Sequence, residues 1–151
     1  MRYMGGKSRI SKPIAEIIND FSVGRTFASL FCGACSVESK VKGYEHIILN
    51  DKQEYLIALL KAVQQGYIPP EEMTVDEYKY IRAHKDENPP LTGFAGFGCS
   101  FGGKWFGGYA RSAQGCNFAQ CAKNTLLRDM STLMNAEIFC CDYRNVPLPP
   151  N

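Results

Sequence analysis

The chain reads as an α/β protein built on about three parallel strands with flanking helices, and three observations lead there. Residues 26–31 and 46–51 are short apolar runs, rich in aromatic or β-branched residues and bounded by polar or small residues, as buried strands are. A small-residue turn and a short helical segment separate them. A third such run, residues 137–143, follows a long segment with helical periodicity and, like the second, carries an acid at its end.

In order, residues 2–9 (Arg-Tyr-Met-Gly-Gly-Lys-Ser-Arg) form a loop. Gly5 and Gly6 allow a sharp turn, with Tyr3 and Lys7 on either side. A ring and an ammonium so placed can pack on a ligand and pair with its carboxylate; a mobile basic terminus is the competing reading. Ser11 is expected to cap a helix with Pro13 in its first turn, and Ile14, Ile17, Ile18 and Phe21 to face the core. Val23-Gly24-Arg25 breaks the chain before the first strand. Cys32-Gly33-Ala34-Cys35-Ser36 is the turn, leading into a short helix over residues 37–41.

A turn of small residues lets backbone N–H groups approach a ligand, and an acid at the tip of the second strand can accept from ribose hydroxyls. Phe31 and Asp51 are about 20 residues apart, as such units require. With one glycine, Gly33, where a dinucleotide cradle has three, the turn suits an adenosine better than a pyrophosphate. An ordinary strand–helix–strand unit without ligand is the alternative.

Residues 53–65 form the next helix, with Leu56, Leu59, Leu60 and Val63 on one face and Gly66 as its stop; Ile68-Pro69-Pro70 turns the chain. Thr74 and Glu77 make a capping box for a helix over residues 74–85, which turns Val75, Tyr78 and either Ile81 or Arg82 inward and ends at Asn88-Pro89-Pro90. Residues 93–111 then hold seven glycines and six aromatics. With Lys104 and Arg111 they form either a stacking, phosphate-contacting surface or a loop whose rings fold onto the core. A helix over residues 117–135 carries Phe118, Ala122, Leu126, Met130 and Leu133 along one stripe. After the third strand, residues 145–151 are an extended tail.

A length of 151 residues, 45% of them hydrophobic, suits one domain with one core. There is no apolar run near the ~20 residues of a membrane span, and residues 1–7 lack the apolar stretch of a secretory signal. A soluble cytoplasmic protein is expected. The net charge is only +2, but Arg2, Lys7, Arg9 and Lys12 make a basic start and residues 71–87 an acidic middle. Seven cysteines without a signal argue against a disulfide framework, and Cys116, Cys121, Cys140 and Cys141 lack zinc spacing. Cys32 and Cys35 sit as a thiol redox motif would, between a strand and a helix; small apolar residues in a tight turn and core are the favoured explanation of them.

Four motifs recur together in one known group: Tyr3-x-Gly5-Gly6-Lys7, Phe31-Cys32-Gly33, Asn50-Asp51 and Asp142-Tyr143. In this order the chain resembles the N-terminal part of the Dam-like, N6-adenine-specific DNA methyltransferases, including phage-type members with a similar Phe106-Gly-Gly-Tyr109-Ala-Arg111 stretch. The resemblance implies a truncated Rossmann-like, S-adenosylmethionine-dependent methyltransferase fold. Residues 1–151 would be its N-terminal portion, with residues 93–111 an insertion, and the partner double-stranded DNA. Tyr3, Gly5, Gly6 and Lys7 would lie along the methionine end of the cofactor and Phe31, Cys32 and Gly33 under it. Asp51 would hold the ribose, Asp142 the adenine amine, with Tyr143 beside the ring.

The family's Asp-Pro-Pro-Tyr motif, which holds the flipped adenine, does not occur in these residues. The chain is therefore expected to bind cofactor but to be inactive alone, with the first strand left as an open apolar edge. Self-association, or a second polypeptide supplying strands, would cover that edge. A non-enzymatic S-adenosylmethionine- or DNA-binding remnant and a thiol oxidoreductase are the other readings.

Overall fold

A computed structural model describes residues 1–21 and 24–149. Val23 and the last two tail residues lie outside the described set. The three expected strands are present but short: β1 Thr26–Ser29, β2 His46–Asn50 and β3 Glu137–Phe139. They form one parallel sheet in the order β1-β2-β3, with Ala28 beside Ile48 and Leu49 beside Ile138. β1 is thus an edge strand among the described residues, and all four of its residues are half-buried.

Among the described residues five α-helices flank the sheet: α1 Ser11–Asp20, α2 Glu54–Gln64, α3 Val75–Ala83, α4 Pro89–Gly93 and α5 Phe118–Met130. α2 is capped by the Gln53 side chain, which accepts from the Leu56 amide, and ends at Gly66, whose φ of +96° suits glycine. Its predicted face is buried: Leu56, Leu59, Leu60 and Val63 meet Leu49, Ile138, Leu126 and Met130 in the core. α3 carries the Thr74–Glu77 capping box, with Tyr78 and Ile81 buried. α5 stops at Met130 instead of Asn135, and Leu133 reaches the core from the turn that follows.

Four expectations need correction. The short helix over residues 37–41 is a single 3-10 turn, Glu38–Lys40. The first strand stops before Leu30, and Phe31, expected inside it, is 72% exposed. Ser11 is not the cap of α1 but its first residue, with its hydroxyl donating to the Ser8 carbonyl. The Ile17 and Phe21 side chains, expected in the core, are 59% and 78% exposed. α1 instead docks through Ser11 and Ala15 and through polar bonds: the Asn19 side-chain oxygen Oδ1 accepts from the Lys42 amide, and the Tyr44 hydroxyl donates to the Ile18 backbone carbonyl.

The glycine and aromatic stretch begins as a helix where a loop was expected. Asn88 caps a new helix instead of ending one: its side chain accepts from the Leu91 amide, and Pro89 and Pro90 occupy the first turn, where a missing N–H costs nothing. α4 continues into a π-helical turn, Phe94–Gly98, that is buried throughout. Phe94, Phe97 and Phe106 join the core, with Trp105 and Tyr109 packed against it; only Phe101 among the six rings is largely exposed. The glycines permit this packing. A Cβ on Gly93 would collide with the Tyr55 carbonyl and one on Gly96 with the Trp105 ring, so two backbones approach closer than any side chain allows. Of the two readings of these rings, the structure has the one in which they fold onto the core, Phe101 excepted.

Candidate functional site

The N-terminal segment is held by the buried stretch beneath it. The Met4 amide donates to the Gly103 carbonyl at 2.9 Å, and the Tyr3 ring rests on Phe97 with centroids 4.8 Å apart. Gly103 lies so close that a Cβ there would come within 2.6 Å of the Tyr3 nitrogen. The Tyr3 carbonyl accepts from the Gly6 amide at 2.8 Å, closing a turn with Gly5 at φ +81°. The Tyr-x-Gly-Gly-Lys motif is thus a β-turn that fixes Tyr3 on one side and Lys7 on the other. The Lys7 ammonium is exposed and donates to the Gly5 carbonyl at 2.7 Å.

Residues after β1 and β2 complete the other wall. The Cys32 amide donates to the Asn50 carbonyl at 2.8 Å, which carries the strand pairing one step past β1. Gly33 then turns left-handed at φ +51°, and its amide donates to Asp51 Oδ2 at 3.0 Å. Asp51 Oδ1 accepts from the Gln53 amide at 3.1 Å. Both carboxylate oxygens are oriented by backbone donors, and each keeps a lone pair for a ligand hydroxyl. A Cβ on Gly33 would sit 3.2 Å from the Tyr3 ring, so glycine here sets the distance between the two walls. Burial, and next the Asp51 charge, push the Tyr3 phenol above its ordinary value, which keeps it a neutral donor.

Tyr3, Gly5, Gly6, Lys7, Phe31, Cys32, Gly33 and Asp51 line one cavity of about 540 Å³, joined by Ala34, Ser36, Val37 and Glu38. That volume is in the range of small-molecule sites, roughly 300–1,000 Å³. Asp142 and Tyr143 are not among its lining residues. They stand just past β3 and reach the rim through Phe31, whose ring centroid is 5.4 Å from that of Tyr143. The Asp142 carboxylate is held by Arg144, through Nε at 2.8 Å and the backbone amide at 3.1 Å, and this pairing pulls its pKa below the ordinary value. Lys104 and Arg111 are both exposed, Arg111 lying 5.9 Å from the Tyr109 centroid.

Two residues of this region had no role assigned from sequence. Asn50 is buried, and its side chain donates to the Leu30 and Cys141 carbonyls at 3.0 and 3.1 Å and accepts from the Cys141 amide at 3.1 Å. It clasps the carboxyl ends of all three strands, so the loops they carry converge. Glu38 reaches from the 3-10 turn to β1, where the Ser29 hydroxyl donates to it at 2.7 Å. A polar residue ending an apolar strand was the only signal for Asn50, and it was read through its neighbour Asp51.

Cys32 and Cys35 are buried, with Cys35 at φ +58°. A hydrogen bond that the Cys35 thiol donates to Cys32, with burial next, holds Cys35 well above its ordinary value, opposite to the lowered pKa that a redox thiol needs. Among the described residues no group of three or more His, Cys, Asp and Glu is arranged for a metal, and no helix is long and apolar enough to cross a membrane.

No curated protein matches the chain. The model of the D12 class N6 adenine-specific DNA methyltransferases matches residues 3–95, more than half of the chain, running from the Tyr3 turn through Gly33 and Asp51 to α4 and the start of the π-helical turn. Three parallel strands with flanking helices are an α/β fold consistent with part of a methyltransferase domain. On that match the chain belongs to the D12 class N6 adenine-specific DNA methyltransferase family.

Proposed function

We propose that the cavity between the Tyr3 turn and Asp51 binds S-adenosylmethionine, and that this polypeptide is the cofactor-holding part of an adenine-specific DNA methyltransferase. One observation carries the reading: Asp51 is fixed at the tip of β2 by the Gly33 and Gln53 amides, at the mouth of a cavity sized for a nucleoside. A carboxylate so held is a ready acceptor for two ribose hydroxyls. Tyr3 and Gly33 flank the ligand, and Lys7 pairs with the carboxylate of the methionine moiety. Phe31 and Tyr143 pack at the adenine, with Asp142 as acceptor for its amine once Arg144 yields. The cofactor supplies the methyl group; the chain's residues hold and orient it.

The DNA would lie across the exposed side of residues 101–111, where Lys104 and Arg111 contribute phosphate contacts. No residue among the 151 forms the Asp-Pro-Pro-Tyr motif that would present the adenine amine. The polypeptide alone is therefore a binder without turnover, and strands from a second copy or another polypeptide would pair with the open edge of β1.

The test is equilibrium dialysis with labelled S-adenosylmethionine in competition with ATP, and methyl incorporation into adenine-containing duplex DNA. The reading predicts retention of label that ATP does not displace, and no incorporation. Absence of retained label, or displacement by ATP, would overturn the cofactor assignment. Methylation by the 151 residues alone would overturn the division of labour.

A further inference from the structure

The cavity has three charged lining residues, none of them in an ion pair among the described residues, and one of the three is buried. Asp51 is tethered at the ribose end and Lys7 stands at the rim. The third, Glu38, is 7% exposed and lines the same cavity. Its oxygens are held by the Ser29 hydroxyl at 2.7 Å and the Val37 amide at 3.2 Å, which leaves lone pairs for a further donor. No ion pair among the described residues includes Glu38. The nearby Lys40 ammonium is engaged with the Ser36 carbonyl at 2.7 Å. A buried carboxylate without a cation is costly, and a site that keeps one gains when a cationic ligand group arrives.

An α-amino acid carries an ammonium and a carboxylate on one carbon. Its recognition takes one anion and one cation placed on the same side of a pocket, and the cavity offers Glu38 and Lys7. We propose that Glu38 is the acceptor for the α-ammonium of the cofactor's methionine moiety, and that with Lys7 it reads that moiety as a zwitterion. This rests on the cofactor reading above. The Ser29 hydroxyl aims the carboxylate, and burial, which pushes the Glu38 carboxyl up, is the cost that the ammonium offsets.

Calorimetric titration with two probes separates this role from general support of the fold. S-adenosylhomocysteine carries the amino-acid moiety; methylthioadenosine shares the adenosine but ends at the thioether. Glu38→Gln should weaken S-adenosylhomocysteine at least about tenfold, the size of a lost charge-assisted bond, and methylthioadenosine less than about twofold. Lys7→Met, at an exposed position where folding is not at stake, should show the same split. Equal losses on both probes, or undiminished S-adenosylhomocysteine binding in Glu38→Gln, would overturn the proposal while leaving the cofactor reading intact. Failure of the wild type to bind either probe would remove both.

Discussion

The Gly33 amide donates to Asp51 Oδ2 at 3.0 Å, and this bond joins the turn after β1 to the tip of β2. It places a left-handed glycine against Tyr3 and an oriented carboxylate beside it, so the two walls of the cavity are set by one contact.

Gly33→Ala should therefore do more than strain the backbone. An alanine at φ +51° costs about 1–2 kcal/mol, and its Cβ would press on the Tyr3 ring. Gly43→Ala is the matched control, with φ +83° and open space around it. Gly33→Ala should lose at least as much stability as Gly43→Ala in urea denaturation, and only Gly33→Ala should lose affinity for S-adenosylhomocysteine.

Asn50→Ala leaves the Leu30 carbonyl and both backbone groups of Cys141 without their partner. The expected cost is about 3 kcal/mol, since orphaned buried groups are worth 1–3 kcal/mol each and some relax. Amide hydrogen exchange should show loss of protection at Cys141 before loss in α2.

Glu38 sets a pH dependence of stability. Its folded pKa is raised above the ordinary 4.5, chiefly by burial, so the folded state favours the protonated form. The stabilisation is fully present below 4.5 and is lost as pH rises through the folded value. Glu38→Gln removes this term, so its denaturation midpoint should gain on wild type as pH rises from 4.5 toward neutrality. A midpoint difference independent of pH would contradict the buried charge. The same variant is the one expected to bind cofactor less well, a trade common at binding sites.

Thiol reactivity distinguishes a structural Cys32–Cys35 pair from a redox pair. Both side chains are buried and the Cys35 thiol is held protonated, whereas Cys116 and Cys121 are exposed with sulfurs 3.9 Å apart. Alkylation followed by mass spectrometry should label Cys116 and Cys121 first and Cys32 and Cys35 only on unfolding. Rapid labelling of Cys35 in the folded protein would revive the oxidoreductase reading.

Much of this architecture is legible in the residues because it rests on local rules. The parallel strands follow from apolar runs, the Thr74–Glu77 box from its spacing, and the α2 face from its period. What was not legible depends on partners distant in sequence. Ile17 and Phe21 carry a core-like period, yet α1 docks through Ser11, Ala15 and polar bonds to residues 42–44. The glycines at positions 93 and 96 look like punctuation until the Tyr55 carbonyl and the Trp105 ring are seen against them. At the site, the Tyr3 turn and the Asp51 tip were readable from their motifs. Asn50 and Glu38 were not, because an amide clasping three strands and a carboxylate crossing to Ser29 leave no spacing signature.

The most direct test of the central claim is a calorimetric titration of S-adenosylhomocysteine into wild type and Asp51→Ala. Removing an acceptor of two ribose hydroxyls should weaken binding at least about thirtyfold, given roughly 1.5–3 kcal/mol for a hydrogen bond to a charged group. Equal affinities in the two proteins would show that Asp51 does not hold the ligand and that the cavity beside it is not the cofactor site.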